Sequence, residues 1–183
     1  MPKIVDHEGK RSEIALKAAQ VFHEHGYKGL GMRQLCEYLG MSKSAVYYYY
    51  KSKDEIFKAA TEASVNLDVD SIKLRPVSEL SLLELRCSNF YSIFELMAER
   101  YFQEMKLVSE YIEVIGLANV ANDPSMQLAN NKYAEMLANY VSRADKDVCY
   151  TLLLGLLTQQ TMQGYPLTKA YIIQVIGKQL SKD

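Results

Sequence analysis

Met32-Arg33-Gln34-Leu35-Cys36-Glu37-Tyr38-Leu39-Gly40-Met41-Ser42-Lys43-Ser44-Ala45-Val46-Tyr47-Tyr48-Tyr49-Tyr50-Lys51-Ser52-Lys53-Asp54-Glu55-Ile56-Phe57 decides how this chain of 183 residues is read. Gly40-Met41-Ser42 is a tight turn between two short helices, roughly 32–39 and 43–50. Ser42 is an N-cap, its hydroxyl placed to accept a free backbone N–H from the first turn of the following helix. Met41 and Val46 flank it as a hydrophobic staple that sets the angle of entry. Two helices of about two turns joined this way form a helix-turn-helix unit. Ser52 and Glu55 have the spacing of a capping box for a fourth helix from Lys53 towards Ser71.

The third helix sorts by face. Val46 and Tyr50, four apart, belong on the side that packs onto Phe22, Leu39 or their neighbours. Lys43, Ser44, Tyr47 and Tyr48 occupy the adjoining side, joining a cation, a short hydroxyl and phenols on a helix narrow enough for a DNA major groove. Successive helical residues point about 100° apart, so the four tyrosines cannot all be buried.

Outward from this stretch, almost every segment reads as helix. A first helix at roughly 9–25 repeats Ile14, Ala18, Val21 and Phe22 on one face, and His25-Gly26-Tyr27 ends it. Pro76, Pro124 and Pro166 punctuate the remainder. Asp123-Pro124 starts a helix to about Ser142, Asp145 is placed to cap the next to about Gln163, and Thr168 caps a last one to about Leu180. Residues 78–120 are too long for one ordinary helix, yet the place of the break has no signal. The expectation is an all-α fold of about nine helices: a helix-turn-helix domain over 1–52, a connecting helix over 53–71, and a second helical domain over 72–183.

Composition is that of an ordinary globular protein, 49% hydrophobic and 23% charged. No run approaches the ~20 apolar residues of a membrane span, and the N-terminus has no signal-peptide core, so the expected compartment is the cytoplasm, with no membrane partner. Net charge is −1, but residues 1–60 carry ten Lys/Arg against seven Asp/Glu, which leaves the acidic surplus to the rest. An anionic partner would meet the head. Cys36, Cys87 and Cys149 are odd in number and far apart, and read as packing residues. His23 and His25, at i and i+2, do not share a helical face, and with His7 they read as surface residues; no metal or cofactor is expected. There is no phosphate loop, metal-spaced ligand set or nucleophile-base signature, so no enzyme is expected.

Phe22-His23-Glu24-His25-Gly26-Tyr27 and the nearly continuous run from Met32 to Phe57 resemble the tetracycline-repressor (TetR/AcrR) family of bacterial transcriptional regulators. The resemblance covers the first third of the chain. It implies that Arg33 and Lys43 meet phosphates or bases, that Ser42 and Ser44 lie at the groove entrance, and that Ala45 approaches base edges. It implies that Tyr47 and Tyr48 bond phosphates or touch bases, that Tyr49 lies at the margin, and that Lys53 holds a phosphate. Gly31 stands where the family usually has Thr, and Ser44 and Tyr50 replace a frequent Gly and Phe.

The resemblance also implies a homodimer on a palindromic double-stranded DNA operator, acting as a repressor and responding to a small hydrophobic or aromatic ligand. Phe90, Phe94, Met97, Tyr101, Met105 and Tyr111 are the candidates for lining its cavity. Thr151, Gly155, Thr158 and Met162 form a small-residue stripe on helix 146–163, and with Ile172 and Ile176 they are the candidates for the dimer interface. The alternatives are a helical protein-interaction module and a constitutive DNA-binding protein without a ligand.

Overall fold

The computed structural model describes residues 6–78 and 81–181; the outermost ends of the two expected domains lie outside them. The described residues form nine α-helices and one 3-10 turn, with no strand, as expected for an all-α fold. They are α1 (His7–His25), α2 (Met32–Tyr38), α3 (Lys43–Tyr49), α4 (Lys53–Ser71), α5 (Leu83–Ala98), α6 (Tyr101–Ile115), a 3-10 turn (Leu117–Asn122), α7 (Pro124–Tyr140), α8 (Lys146–Gln163) and α9 (Lys169–Leu180).

Most helix starts obey the capping signals. The Asp6 carboxylate accepts the Gly9 N–H, Asp123 Oδ1 accepts from Ser125 and Met126, and Thr168 Oγ1 accepts from Tyr171. Two details differ. Asp145 makes no side-chain cap for α8; instead Ser142 Oγ accepts the Asp145 N–H and donates to its carboxylate. At α4, Ser52 Oγ accepts the Glu55 N–H as expected, but the Glu55 carboxylate reaches back to the Lys51 N–H, one residue earlier than the usual box. The break within 78–120 falls at Glu99-Arg100, where neither glycine nor proline marks it.

By packing, the chain divides into two compact units. The first holds residues through Asp68 together with Gln103–Ala129, and the second holds Val69–Phe102 with Asn130 onward. Helix α6 carries Tyr111 into the first unit's core. That core buries Ile14, Ala18, Phe22, Tyr27, Leu35, Val46, Tyr50, Ile56, Phe57 and Tyr111. Its aromatic centre is tight: the Phe57 ring lies 5.1, 4.7 and 4.4 Å from those of Phe22, Tyr27 and Tyr111. Both phenols have partners, since Tyr27 donates to Asp54 and Tyr111 to Asp123 Oδ2. Burial, then the Asp123 bond, pushes the Tyr111 phenol up to about 12.

The second unit centres on Phe90, Ile93, Phe94, Leu137, Leu153, Leu157, Ile172 and Ile176. Helix α5 packs against α8 and α9, and a Cβ on Gly177 would lie 3.7 Å from Cys87 Sγ. Buried Asn89 pins the segment before α5 by donating to the carbonyls of Arg75 and Tyr140. All three cysteines are buried as free thiols. Burial raises the Cys36 and Cys87 thiols, and burial followed by the nearby Asp145 charge takes Cys149 up to about 12.

The turn after α1 depends on Gly26. Its φ of 75° with ψ of 179° lies in a region open essentially to glycine alone. A Cβ there would also strike the Glu110 carboxylate, which accepts the N–H groups of Tyr27 and Lys28. Gly26→Ala should therefore cost about 2–4 kcal/mol, from backbone strain plus a disturbed charge-assisted bond. Urea unfolding of this variant should show a lower midpoint at an unchanged slope; a midpoint within error of wild type would contradict the account.

Candidate nucleic-acid interface

Helix α3 is seven residues long, so its position is set by what it packs against. Ser42 caps it, with Oγ accepting the Ala45 N–H at 3.2 Å and lying 3.1 Å from Ser44 Oγ. Gly40 has a φ of 66°, which closes the turn between α2 and α3. Gly31, lacking a side chain to cap α2, still has its N–H satisfied by Gln34 Oε1 at 3.1 Å.

The two-sided reading of α3 agrees with the burial pattern. Val46 and Tyr50 are buried in the first unit's core, whereas Lys43, Ser44, Tyr47 and Tyr48 are exposed. Ala45 and Tyr49 are half-buried between the two sides. Lys43 Nζ stands 5.6 Å from the Tyr47 ring centroid, so cation and phenol form one polar surface with the two serines.

The exit of α3 is held by residues that spacing does not reveal. Arg11, on α1, donates to the Tyr49 carbonyl, lies 4.3 Å above the Tyr50 ring and pairs with Glu55 at 3.2 Å. Tyr50 returns the contact by donating to the Arg11 carbonyl at 2.8 Å. The Lys51 N–H and, against the effect of burial, the Arg11 guanidinium hold the Glu55 carboxyl below its ordinary range. Arg11 is 38 residues from Tyr49 in sequence. A lone arginine in the first turns of a helix carries no signal of such a partner.

Two cations are placed differently from a free phosphate ligand. Lys53 donates to the carbonyls of Tyr27 and Leu30 at 2.9 and 3.1 Å and lies 4.1 Å from the Tyr27 ring centroid. Its burial lowers its pKa, and it braces the turn after α1. Arg33 is exposed and paired with Glu37 on its own helix. Exposed i,i+4 pairs are worth a few tenths of a kcal/mol, so a phosphate could displace Glu37 readily.

The residues expected around a ligand do not form one group. Phe90, Phe94 and Met97 are packed in the second unit's core, with Tyr101 half-buried beside them and its hydroxyl 2.7 Å from Thr158 Oγ1. Tyr111 belongs to the first unit's core, and half-buried Met105 to the same unit. The expected interface set divides too. Thr151, Gly155 and Met162 are exposed along one side of α8, and Thr158 is half-buried. Ile172 and Ile176 are fully buried within the second unit and are not available to a partner. Helix α9 has an apolar face through Ile172, Ile176 and Leu180, and composition does not say whether its own core or a partner covers it.

Residues 14–60 match the family model described as bacterial regulatory proteins, tetR family. The HTH-type transcriptional regulator PksA of Bacillus subtilis is 32% identical over 80 residues, 44% of this chain and 39% of that protein. The chain thus matches well under half of PksA's length. Among solved structures, the multidrug binding protein EbrR in complex with imidazole superposes with a TM-score of 0.67 at 16% identity, covering 97% of this chain and 96% of that one. The flavonoid-responsive regulator FrrA gives 0.60 at 21% identity over 94% and 95%. At these identities the structures establish a shared fold.

Removing the cap tests how far α3 depends on its entry. Ser42→Ala should cost about 0.5–2 kcal/mol, the usual range for losing an N-cap side chain. Thermal unfolding by circular dichroism checks this, and an unshifted melting temperature would mean that α3 does not depend on its cap.

Proposed function

Because residues 14–60 match the family model of the tetR bacterial regulatory proteins, we propose that this chain is a cytoplasmic transcriptional regulator, not an enzyme, which binds a palindromic operator as a homodimer through α3. The observation that carries this reading is the sorting of α3. Val46 and Tyr50 anchor it, leaving Lys43, Ser44, Tyr47 and Tyr48 together on an exposed side with Ser42 and Ala45 at its entry. Cation and phenol hydroxyls suit phosphate oxygens, and the short side chains admit base edges. Arg33, Tyr49 and Lys53 lie at the margin of this surface in the proposal, Lys53 acting chiefly as a brace. Two copies of α3 reaching successive major grooves require half-sites about 34–36 Å apart.

The regulator acts, in this reading, as a repressor released by a small hydrophobic or aromatic molecule that prefers the form unable to bind DNA. The support is likeness of fold: EbrR is named for multidrug binding and FrrA for its response to flavonoids. Phe90, Phe94, Met97 and Tyr101 are the residues of the second unit nearest to such a role. Tyr111, engaged with Asp123 and Phe57, is withdrawn from the set.

Selection of wild-type protein against random DNA should enrich a palindrome. On that site Tyr47→Ala and Lys43→Ala should each cost about 1–3 kcal/mol, and the lysine change should also reduce the slope of log affinity against log salt by about one. Lack of an enriched site, or wild-type affinity in both variants, overturns the proposal.

For the dimer, the exposed side of α8 through Thr151, Gly155 and Met162, with Val148 beside them, supports an isologous contact. A Cβ on Gly155 would meet nothing within 4 Å, so a larger residue there burdens the partner contact and spares the protomer. Gly155→Leu should sediment as a folded monomer at concentrations where wild type is a dimer. A monomeric wild type at micromolar concentration would refute this assembly.

A further inference from the structure

The recognition surface has a third side that the family resemblance does not supply. His7 opens α1, and its ring centroid lies 5.6 Å from that of Tyr48, edge to face, and 5.0 Å from that of Tyr49. Tyr48 and Tyr49 stand perpendicular to each other at 4.9 Å, so the three rings form one cluster. Tyr48 is 70% exposed, and its ring meets those of His7 and Tyr49.

His7 lies one helical turn before Arg11 on the same face of α1. Arg11 grips the end of α3 through the Tyr49 carbonyl and the Tyr50 ring. His7 extends that grip outward, from the buried tyrosine to the exposed one. We propose that His7 is a positioning residue for DNA recognition: by packing against Tyr48 and Tyr49 it holds the Tyr48 phenol in the orientation in which it meets the operator. This rests on the DNA-binding reading above and adds to it a residue outside the helix-turn-helix.

The physical gain is preorganisation. A side chain already restricted before binding loses less rotational freedom when it binds. The other role open to a histidine here is a direct phosphate contact, and its neighbours disfavour it. The Asp6 carboxylate occupies the start of α1, accepting the Gly9 N–H, and Glu8 Oε1 lies 3.6 Å from His7 Nδ1. Among the other charged groups of this end of α1, Lys10 is paired with Glu13, and Arg11 is committed to α3 and Glu55. The Glu8 carboxylate beside the ring and the Asp6 carboxylate at the helix start both disfavour an incoming phosphate, so the contribution of His7 passes through the tyrosines.

The experiment uses the full chain and the site selected by wild type, with three proteins: wild type, His7→Ala and His7→Phe. His7→Ala should weaken operator binding about three- to tenfold, the range of one aromatic pair, with an unchanged salt slope. It should also shift the ring-proton resonances of Tyr48 and Tyr49 in the DNA-free protein. His7→Phe should restore affinity, since it keeps the aromatic packing and removes the ring nitrogens. Wild-type affinity for His7→Ala overturns the inference and leaves the DNA reading standing. Loss of about one unit of salt slope, or failure of phenylalanine to rescue, assigns His7 to a direct contact and overturns it too. A wild-type chain that enriches no site removes both.

Discussion

A helix of seven residues is too short to persist alone in water, and everything distinctive about the first unit follows from that. Lys43, Ser44, Tyr47 and Tyr48 of α3 are exposed, so few side chains remain to fasten it. Val46 and Tyr50 go inward, Ser42 closes the entry, and the exit is tied to α1 by the reciprocal contacts of Arg11 and Tyr50. Within the first unit, α1 and the start of α4 supply the core on which this element rests. Even Tyr111 from α6 serves it at one remove, by completing the aromatic centre that seats Tyr27 and Phe57.

How much of this was legible in the sequence depended on range. Local features were readable: the turn at Gly40-Met41-Ser42, the starts at Asp123 and Thr168, and the outward side of α3. They involve residues within about one turn of each other. Features made by residues distant in sequence were not readable. The bond from Tyr27 N–H to Glu110 spans 83 residues, and neither partner sits in a motif that advertises the other. The break at Glu99-Arg100 was invisible for a related reason, since no residue there resists helix and only packing determines where the chain bends.

The placement of apolar residues taught a second lesson. Thr151, Gly155 and Met162 were separable from the core because they recur on one side of α8, away from the buried Leu153, Leu156 and Leu157. Ile172, Ile176 and Leu180 recur at the four-residue spacing of one inward face, opposite exposed Tyr171, Gln174 and Lys178, but an apolar face does not say whether its own core or a partner covers it. Aromatic richness misled in the same way. Tyr111 resembles a pocket residue by composition, yet its hydroxyl is bonded to Asp123 and its ring is enclosed. The cations tell a parallel story: Lys53 looks free in a list of residues and is engaged with two carbonyls once the chain is folded.

The three sealed cysteines have a practical consequence. Alkylating reagents attack thiolates, and a thiol held near pKa 12, as at Cys149, is ionised to only about one part in 100,000 at neutral pH. Burial adds a barrier of access at Cys36 and Cys87 as well. The native chain is therefore a chemically quiet background. A thiol introduced at an exposed position would react far faster than the three native ones, so a dye or spin label can report on a chosen helix with the natural cysteines left in place.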